Sequence, residues 1–160
     1  MRVRRDKGQG TAFYIYLPVS DQTEDKPEHV KENLQTGEER VLLIDDEPPL
    51  VNMVSQILER LGYCVTKRTS SIEALALFQE KPEAFDLVIT DMTMPIMTGD
   101  ALAAEMMKIR PDIPVILCTG YSKTISEGAA KAIGIKAFAY KPLVKADLAK
   151  TVRKVLDETG

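Results

Sequence analysis

The stretch DLVITDMTMPIMTG, residues 86–99, decides the fold of this chain. Residues 87–90 are apolar or β-branched without polar alternation, which is typical of a strand buried on both faces of a sheet. Asp91 follows them directly, and the proline and glycine further along exclude a continuous helix. The sequence therefore predicts a buried strand that ends in one carboxylate, followed by a loop that leaves this carboxylate open to approach.

The same pattern of a buried strand followed by a helix repeats from residue 40 onward. Five stretches predict strands: RVLLIDD, YCVTKR, FDLVIT, IPVILCTG and IKAFAYKP. The intervening stretches predict helices; PPLVNMVSQILERLG, for example, opens with two prolines, carries apolar residues at helical spacing and ends at Gly62. Five such units, whose strands lack polar alternation, predict an α/β fold with a doubly wound, five-stranded parallel sheet and helices on both faces.

Composition limits the classes of protein that the chain can represent. Its 160 residues, 44% of them hydrophobic and 28% charged, suffice for one globular domain with an additional tail. A net charge of -3 without a basic block gives no indication of direct nucleic-acid binding. No apolar run could span a bilayer or serve as a signal peptide, so we expect no membrane contact. Cys64 and Cys118 lie in apolar, strand-like segments without metal-ligand spacing, which predicts two buried, reduced thiols in a cytoplasmic protein.

The chain divides into three zones of different composition. Residues 1–18 contain GQGTAFYIYLP, a β-rich run that begins after glycines and ends at a proline. Residues 19–38 are polar and carry few large apolar side chains, which is typical of a linker. Residues 39–160 hold the βα units. We therefore predict a short N-terminal strand, a linker and one folded domain.

Chemically active side chains stand at the carboxyl ends of the predicted strands. In doubly wound sheets the reactive site lies outside these ends, at the switch point of the topology. The residues there are Asp45, Asp46 and Glu47 after the first strand, Asp91 after the third, Thr119 after the fourth and Lys141 after the fifth. Lys67 and Arg68, which end the second strand, are assigned no role.

Any three of these four carboxylates cannot all be ionised in one crevice unless a cation joins them. Two carboxylates about 4 Å apart repel each other by roughly 4 kcal/mol at an effective dielectric constant of 20. An all-oxygen site with open positions suits Mg²⁺, which accepts phosphoryl oxygens as ligands. Asp91 is then a natural nucleophile that forms an aspartyl phosphate, while Lys141 counters the phosphoryl charge and Thr119 donates a hydrogen bond to it.

Residues 40 to 158 resemble the receiver domain of two-component response regulators. The stretches that carry the resemblance are VLLIDDEPPL, FDLVITDMTMPIMTG, PVILCTGYS and AFAYKPL. The resemblance implies a flavodoxin-like sheet with strand order 2-1-3-4-5. It also implies a domain that catalyses only its own phosphorylation and dephosphorylation.

The resemblance assigns roles to the acidic residues. It implies that Asp91 is the phosphoacceptor and that Asp46 ligates Mg²⁺ directly. Asp45 would hold the ion largely through water, and the backbone carbonyl of Thr93 would complete the protein ligands. Mg²⁺ is therefore the expected cofactor.

The resemblance also assigns roles around the phosphoryl group. Thr119 and Lys141 would contact it, and Thr119 would form a switch pair with Phe138, whose ring turns inward behind the threonine. A Phe in a strand is also commonly a plain core residue, and that alternative stays open. Thr93 and Tyr121 occupy the two positions that tune phosphoryl lifetime in this family. Neither orients water well, so we expect a long-lived phosphoryl group.

A second resemblance covers about a dozen N-terminal residues. GQGTAFYIYLP resembles the closing strand of a histidine-kinase ATP-binding domain. The order of kinase, linker and receiver implies the C-terminal part of a hybrid sensor histidine kinase, whose parent chain could be an enzyme. The nucleotide-binding motifs are absent, so we expect no ATP binding. The strand Thr11–Leu17 would have lost its sheet and would present an unpaired edge.

The phosphoryl donor must come from another chain or domain. His29 is the single histidine, and its surroundings, KPEHVKENL, do not resemble a phosphoacceptor box. The expected partners are a histidine kinase or a histidine phosphotransfer protein. The chain ends near the fifth helix, so we expect the output to be a partner protein or a further relay step. The resemblance to receiver domains also implies a surface of the fourth helix, the fifth strand and the fifth helix on which a homodimer could form, and Gly128 favours mobility of the fourth helix.

Two alternatives use the same residues differently. Haloacid-dehalogenase-like phosphatases also use an aspartate nucleophile, a lysine and Mg²⁺, but they need a second aspartate two residues after the nucleophile. Thr93 holds that position here, which argues against phosphatase turnover. A scaffold that keeps the fold without phosphorylation is the other alternative.

Overall fold

The computed structural model forms two compact units, residues 1–32 and residues 33–160. The residues that the structure describes are 2–6, 10–16, 35–120 and 134–159. Most of the predicted linker, with His29, lies outside them. So do Tyr121 and the predicted fourth helix with Gly128.

The smaller unit contains an antiparallel hairpin of β1 (Arg2–Asp6) and β2 (Gly10–Tyr14). The predicted strand over Thr11–Leu17 is therefore shorter at its C-terminal end, and one of its edges is paired, which corrects the expectation of a strand without a neighbour. Four of the five residues of β1 are charged, so the sequence lacks the apolar alternation by which strands are recognised. Backbone hydrogen bonds form this pairing without requiring particular side chains.

The larger unit is built on one parallel sheet. Its strands are β3 (Arg40–Ile44), β4 (Cys64–Arg68), β5 (Leu87–Asp91), β6 (Val115–Thr119) and β7 (Ala137–Tyr140). They are ordered β4-β3-β5-β6-β7, and every neighbouring pair is parallel. This is the predicted order 2-1-3-4-5, and the fold prediction is confirmed.

Helices connect the strands and cover the sheet. They are α1 (Pro48–Arg60), α2 (Ser71–Glu80), α3 (Gly99–Ile109) and α4 (Lys145–Asp157), with a short 3-10 helix at Pro82–Ala84. Ser70 caps α2, since its hydroxyl accepts the Glu73 backbone N–H at 3.4 Å. Among these described helices, none has the length and apolar character needed to cross a membrane.

The core consists of two layers, one on each face of the sheet. Val41 and Leu43 of β3 pack with α1 and α4, whereas Leu42 and Ile44 pack with α2 and α3. Successive strand residues point to opposite faces, so β3 is buried on both sides because helices cover both sides. Because all five strands are parallel, their carboxyl ends lie at the same edge of the sheet.

Candidate functional site

Asp91 ends β5, the central strand, and lies in a crevice at the carboxyl edge of the sheet. The residue is only 5% exposed. Its Oδ2 accepts the backbone N–H of Thr93 at 2.8 Å, which fixes the carboxylate against the start of the following loop. Asp91 is therefore held in one orientation, with its other oxygen directed to a different partner.

The loop after Asp91 is anchored at both ends. Met92 and Met94 are buried in the core layer of α2 and α3. At the far end, the backbone N–H of Gly99 donates to the Met92 carbonyl at 2.9 Å. A Cβ at Gly99 would lie 2.0 Å from the Asp91 carbonyl oxygen, so the close return of the chain requires glycine there.

Asp45 and Asp46 follow β3, the neighbouring strand. Asp45 is 5% exposed, and its Oδ1 accepts the Glu47 backbone N–H at 2.9 Å. Asp46 is half-buried and accepts no hydrogen bond from the described residues. One carboxylate is thus fixed within the crevice, and the second is uncommitted at its rim.

Lys141 joins the two buried carboxylates. Its Nζ lies 2.6 Å from Asp91 Oδ1 and 2.9 Å from Asp45 Oδ2. Burial lowers the pKa of Lys141, but the hydrogen bonds to Asp91 and Asp45 raise it by more, so the net pKa lies above the ordinary value. The lysine is therefore charged at neutral pH, and the strand ends predicted to converge do converge.

The donor set of the crevice fits Mg²⁺ in its chemistry. The three carboxylates, Asp45, Asp46 and Asp91, offer oxygen ligands only, which hard divalent cations prefer. One ammonium against three carboxylates leaves the crevice negative by two charges. Within the described ranges, however, no group of three acidic, histidine or cysteine side chains is arranged to hold a metal, and Lys141 lies between Asp45 and Asp91. The predicted ligand set, with the Thr93 carbonyl, stays a prediction.

Thr119 and Phe138 lie on the same face of the sheet. Thr119 ends β6, is buried, and donates its hydroxyl hydrogen bond to the Gly120 carbonyl at 2.9 Å. Phe138 of β7 is paired in register with Leu117 and packs, half-buried, against the layer of α2 and α3. Thr119 is two residues beyond Leu117 and therefore shares its face. This neighbourhood is compatible with the switch pair, which stays a prediction.

Of the two positions expected to tune the phosphoryl lifetime, only Thr93 is among the described residues. The Thr93 side chain is exposed at the rim, two residues from Asp91. Tyr121 lies outside the described residues.

The buried thiol near the site is Cys118, and burial raises its pKa to about 12, so it is neutral. Cys64 is also a free thiol, but it is exposed on β4, the edge strand of the sheet, so the prediction of a buried thiol was wrong there.

Sequence reasoning missed Ile96, in the loop after Asp91. Its side chain is 91% exposed and its backbone φ is 70°, a conformation that β-branched residues rarely adopt. The preceding Pro95 carbonyl is near α2, where the Ser71 hydroxyl donates to it at 3.4 Å. A proline beside an isoleucine in a loop is the only hint that the sequence offers.

These features define a class of protein: a doubly wound α/β domain with acidic side chains and one lysine gathered at the carboxyl edge of its sheet. The chain belongs to the response regulator receiver domain family, whose sequence model matches residues 41–153. This part of the chain is the receiver domain of a two-component system.

Relatives and solved structures agree with this assignment. The chain is 32% identical over 160 residues to Sensor kinase CckA of Brucella abortus (strain 2308), covering 94% of this chain and 17% of that protein. It is 34% identical over 120 residues to Transcriptional regulatory protein GlrR of Escherichia coli (strain K12), covering 75% of this chain and 27% of that protein. A receiver domain protein from Clostridium thermocellum superimposes with a TM-score of 0.71 at 32% identity, covering 75% of this chain and 95% of that one.

The chain therefore spans less than a third of the length of these two curated relatives. The alignment with the sensor kinase covers more of the chain than the receiver region does, and it suggests a hybrid-kinase context only loosely. It does not identify the N-terminal hairpin as part of a kinase domain.

Proposed function

We propose that Asp91 accepts a phosphoryl group from a phosphohistidine, with Mg²⁺, and that this phosphorylation switches a surface for a partner. The observation that carries the proposal is the Lys141 ammonium held between the buried Asp45 and Asp91 carboxylates. A cation in this position can contact the Asp91 carboxylate before transfer and a phosphoryl oxygen after it. The receiver family membership of the chain supports the same reaction.

In the proposed transfer, an Asp91 carboxylate oxygen attacks phosphorus. The new O–P bond forms as the N–P bond to the donor histidine breaks, and the imidazole leaves with the bonding electrons and takes up a proton. Lys141 would exchange its contact with Asp91 for one with a phosphoryl oxygen. The Thr93 backbone N–H, which donates to Asp91 at 2.8 Å, would keep the carboxylate oriented during attack.

The crevice carboxylates would hold the metal. Asp46, which is uncommitted among the described residues, would bind directly, Asp45 largely through water, and Asp91 and the Thr93 carbonyl would complete the protein ligands. Bound Mg²⁺ would supply charge neutralisation for the transferred phosphoryl group. Lys141 and the metal would together offset the crevice charge that otherwise opposes an anionic donor.

The proposed switch uses Thr119 and Phe138. The Thr119 hydroxyl would leave the Gly120 carbonyl and donate to a phosphoryl oxygen. Phe138 would then turn into the space behind it, altering the surface near β7. Thr93 and Tyr121 at the lifetime positions would give slow hydrolysis.

The wider context is also a proposal. We propose that the domain belongs to a hybrid sensor histidine kinase, with residues 1–18 as a remnant of its ATP-binding domain and 19–38 as linker. Its partner would be a histidine kinase or a histidine phosphotransfer protein in the cytoplasm. The domain could also form a homodimer. Similarity to a sensor kinase over 94% of the chain supports this context. No observation favours the phosphatase alternative.

Intact mass spectrometry after incubation with acetyl phosphate tests the reaction. The native chain should gain one phosphoryl adduct that requires Mg²⁺, and Asp91→Asn, which keeps the size of the side chain, should gain none. A matched variant, Asp112→Asn, removes an exposed carboxylate near the opposite edge of the sheet and should be phosphorylated normally. Absence of the adduct on the folded native chain, or its presence on Asp91→Asn, would contradict the proposal.

A further inference from the structure

A groove of about 250 Å³ adjoins the crevice at the end of β4. Its charged lining consists of Lys67 and Arg68, which end β4, and Glu73 of α2; Asn52 and Pro48 of α1 close the other side. Two cations and one carboxylate give these side chains a net charge of +1. The net charge of the groove is therefore positive, whereas that of the neighbouring crevice is negative.

The basic pair lies two strands from Asp91, on the side away from Lys141. In register, Ile44 of β3 is the neighbour of Arg68 on one side and of Thr90 on the other. Strands are about 4.8 Å apart, so the Cα atoms of Arg68 and Asp91 are separated by roughly 10 Å. Lys141 follows β7, which is two strands from β5 in the other direction. The phosphoacceptor position is thus flanked by cations on both sides.

These flanking cations differ in how they are bound. Lys141 contacts two carboxylates, whereas the Arg68 guanidinium donates to its neighbour's backbone, the Lys67 carbonyl, at 2.7 Å. The Lys67 ammonium donates to Asn52 Oδ1 at 3.4 Å. Among the residues that the structure describes, neither lies within 4.0 Å of a carboxylate, although Glu73 lines the same groove. Their charge is therefore not neutralised by an ion pair there.

Backbone donors at the start of α1 add little positive potential to this groove. Pro48 and Pro49 have no N–H groups, and the N–H groups of Leu50 and Val51 both donate to the Glu47 carbonyl at 3.0 Å. A helix N-terminus with free N–H groups would attract anions by itself. Any attraction for an anion on this side must therefore come mainly from Lys67 and Arg68.

We propose that Lys67 and Arg68 form a steering site for small anionic phosphodonors of the acyl phosphate class. The inference rests on phosphorylation of Asp91 as proposed above. With Mg²⁺ offsetting the excess crevice charge, the two cations about 10 Å from Asp91 attract a doubly charged donor and raise its local concentration without touching the reacting atoms. Lys67 and Arg68 are thus positioning residues, and their effect acts on the second-order rate of phosphorylation.

The test compares phosphorylation rates at low and high salt. Acetyl phosphate is used below saturation with Mg²⁺ fixed, and the variants are Arg68→Gln, Lys67→Gln and the charge-preserving Arg68→Lys. At an ionic strength of about 0.03 M, each glutamine variant should react roughly two- to threefold more slowly than the native chain. At about 0.3 M the difference should nearly vanish, because the Debye length falls below the distance involved. Arg68→Lys should keep the native rate.

Arg60→Gln is the matched control, since it removes the same charge from the last turn of α1, at the opposite edge of the sheet. It should react at the native rate at both ionic strengths. Phosphoramidate, which is less negatively charged than acetyl phosphate at neutral pH, should be less sensitive to Arg68→Gln.

The inference fails if Arg68→Gln and Arg60→Gln slow the reaction equally, or if the loss persists unchanged at high salt. A native chain that gains no adduct contradicts the proposed function itself, and with it this inference. Normal native phosphorylation with a salt-independent variant contradicts the steering role alone.

Discussion

At the scale of single residues, Ile96 is the clearest conflict between side chain and backbone. Its φ of 70° costs about 1–2 kcal/mol for an ordinary residue, and its 91% exposed side chain gains almost no packing in return. Backbone strain of this kind concentrates at functional positions, and Ile96 lies in the loop that follows Asp91. Removing the strain should therefore stabilise the fold.

We expect Ile96→Gly to raise the free energy of unfolding by about 0.5–1 kcal/mol. Glycine adopts positive φ without strain, and this gain exceeds the entropy that glycine adds to the unfolded chain. Urea denaturation measures the change. The matched control is Ile72→Gly, which replaces a 44% exposed isoleucine in the first turn of α2 and should lose up to about 1 kcal/mol. A loss of stability in Ile96→Gly would mean that the side chain packs more than its exposure indicates.

Lys141 is the residue on which the charge balance of the crevice depends. Replacing it with methionine leaves Asp45 and Asp91 buried without their shared ammonium, so we expect a loss of about 2 kcal/mol at pH 7. Urea denaturation of the native chain and of Lys141→Met measures this difference.

In the native chain, the stabilisation that Lys141 provides declines at alkaline pH. The pKa of Lys141 is raised in the folded state, so its stabilising contribution is complete below the ordinary lysine pKa of 10.5 and declines as the pH rises above that value. The difference in unfolding free energy between the native chain and Lys141→Met should therefore shrink above about pH 10.5. Denaturation at several pH values measures it, and a difference that does not change with pH would contradict the paired arrangement.

At the scale of elements, the return of the chain from the Asp91 loop into α3 depends on Gly99. A Cβ there would lie 2.0 Å from a backbone oxygen, which a rotamer change cannot relieve. We expect Gly99→Ala to cost about 2–3 kcal/mol in urea denaturation, since the loop must shift away from β5. Gly120→Ala is the matched control: no atom of the described residues lies within 4 Å of its added Cβ, so its stability should change by less than about 1 kcal/mol. Equal effects would contradict the packing argument.

The sequence predicted those elements whose apolar pattern is strong. The runs in β3, β5 and β6 are buried at nearly every position, so their pattern alone indicated a parallel sheet covered on both faces. The apolar pattern failed to predict β1, because four of its five residues are charged. The meeting of the strand ends in the crevice could be predicted from the parallel topology, because parallel strands end at the same edge of the sheet. The φ of Ile96 and the double contact of Lys141 depend on three-dimensional geometry, which no local pattern encodes.

At the scale of the whole molecule, an ion bound in the crevice would stabilise the entire sheet. Asp45 and Asp91 end neighbouring strands, and Lys141 connects both to the end of β7. A cation that binds only when these ends are assembled stabilises the folded state over the unfolded one. The two excess negative charges of the crevice make a divalent cation the species that should do so most effectively.

We expect Mg²⁺ to raise the free energy of unfolding by about 1.4 kcal/mol at a concentration roughly ten times its dissociation constant. Thermal unfolding should then shift upward by roughly 5 °C, at constant ionic strength. Asp46→Asn removes the uncommitted rim carboxylate and should abolish most of this shift, whereas Asp112→Asn, whose side chain is 77% exposed at a distance from the crevice, should retain it. Because the readout is unfolding, it is independent of any phosphodonor. An equal shift in both variants would mean that Mg²⁺ acts through the overall negative charge of the surface, and it would contradict a crevice site.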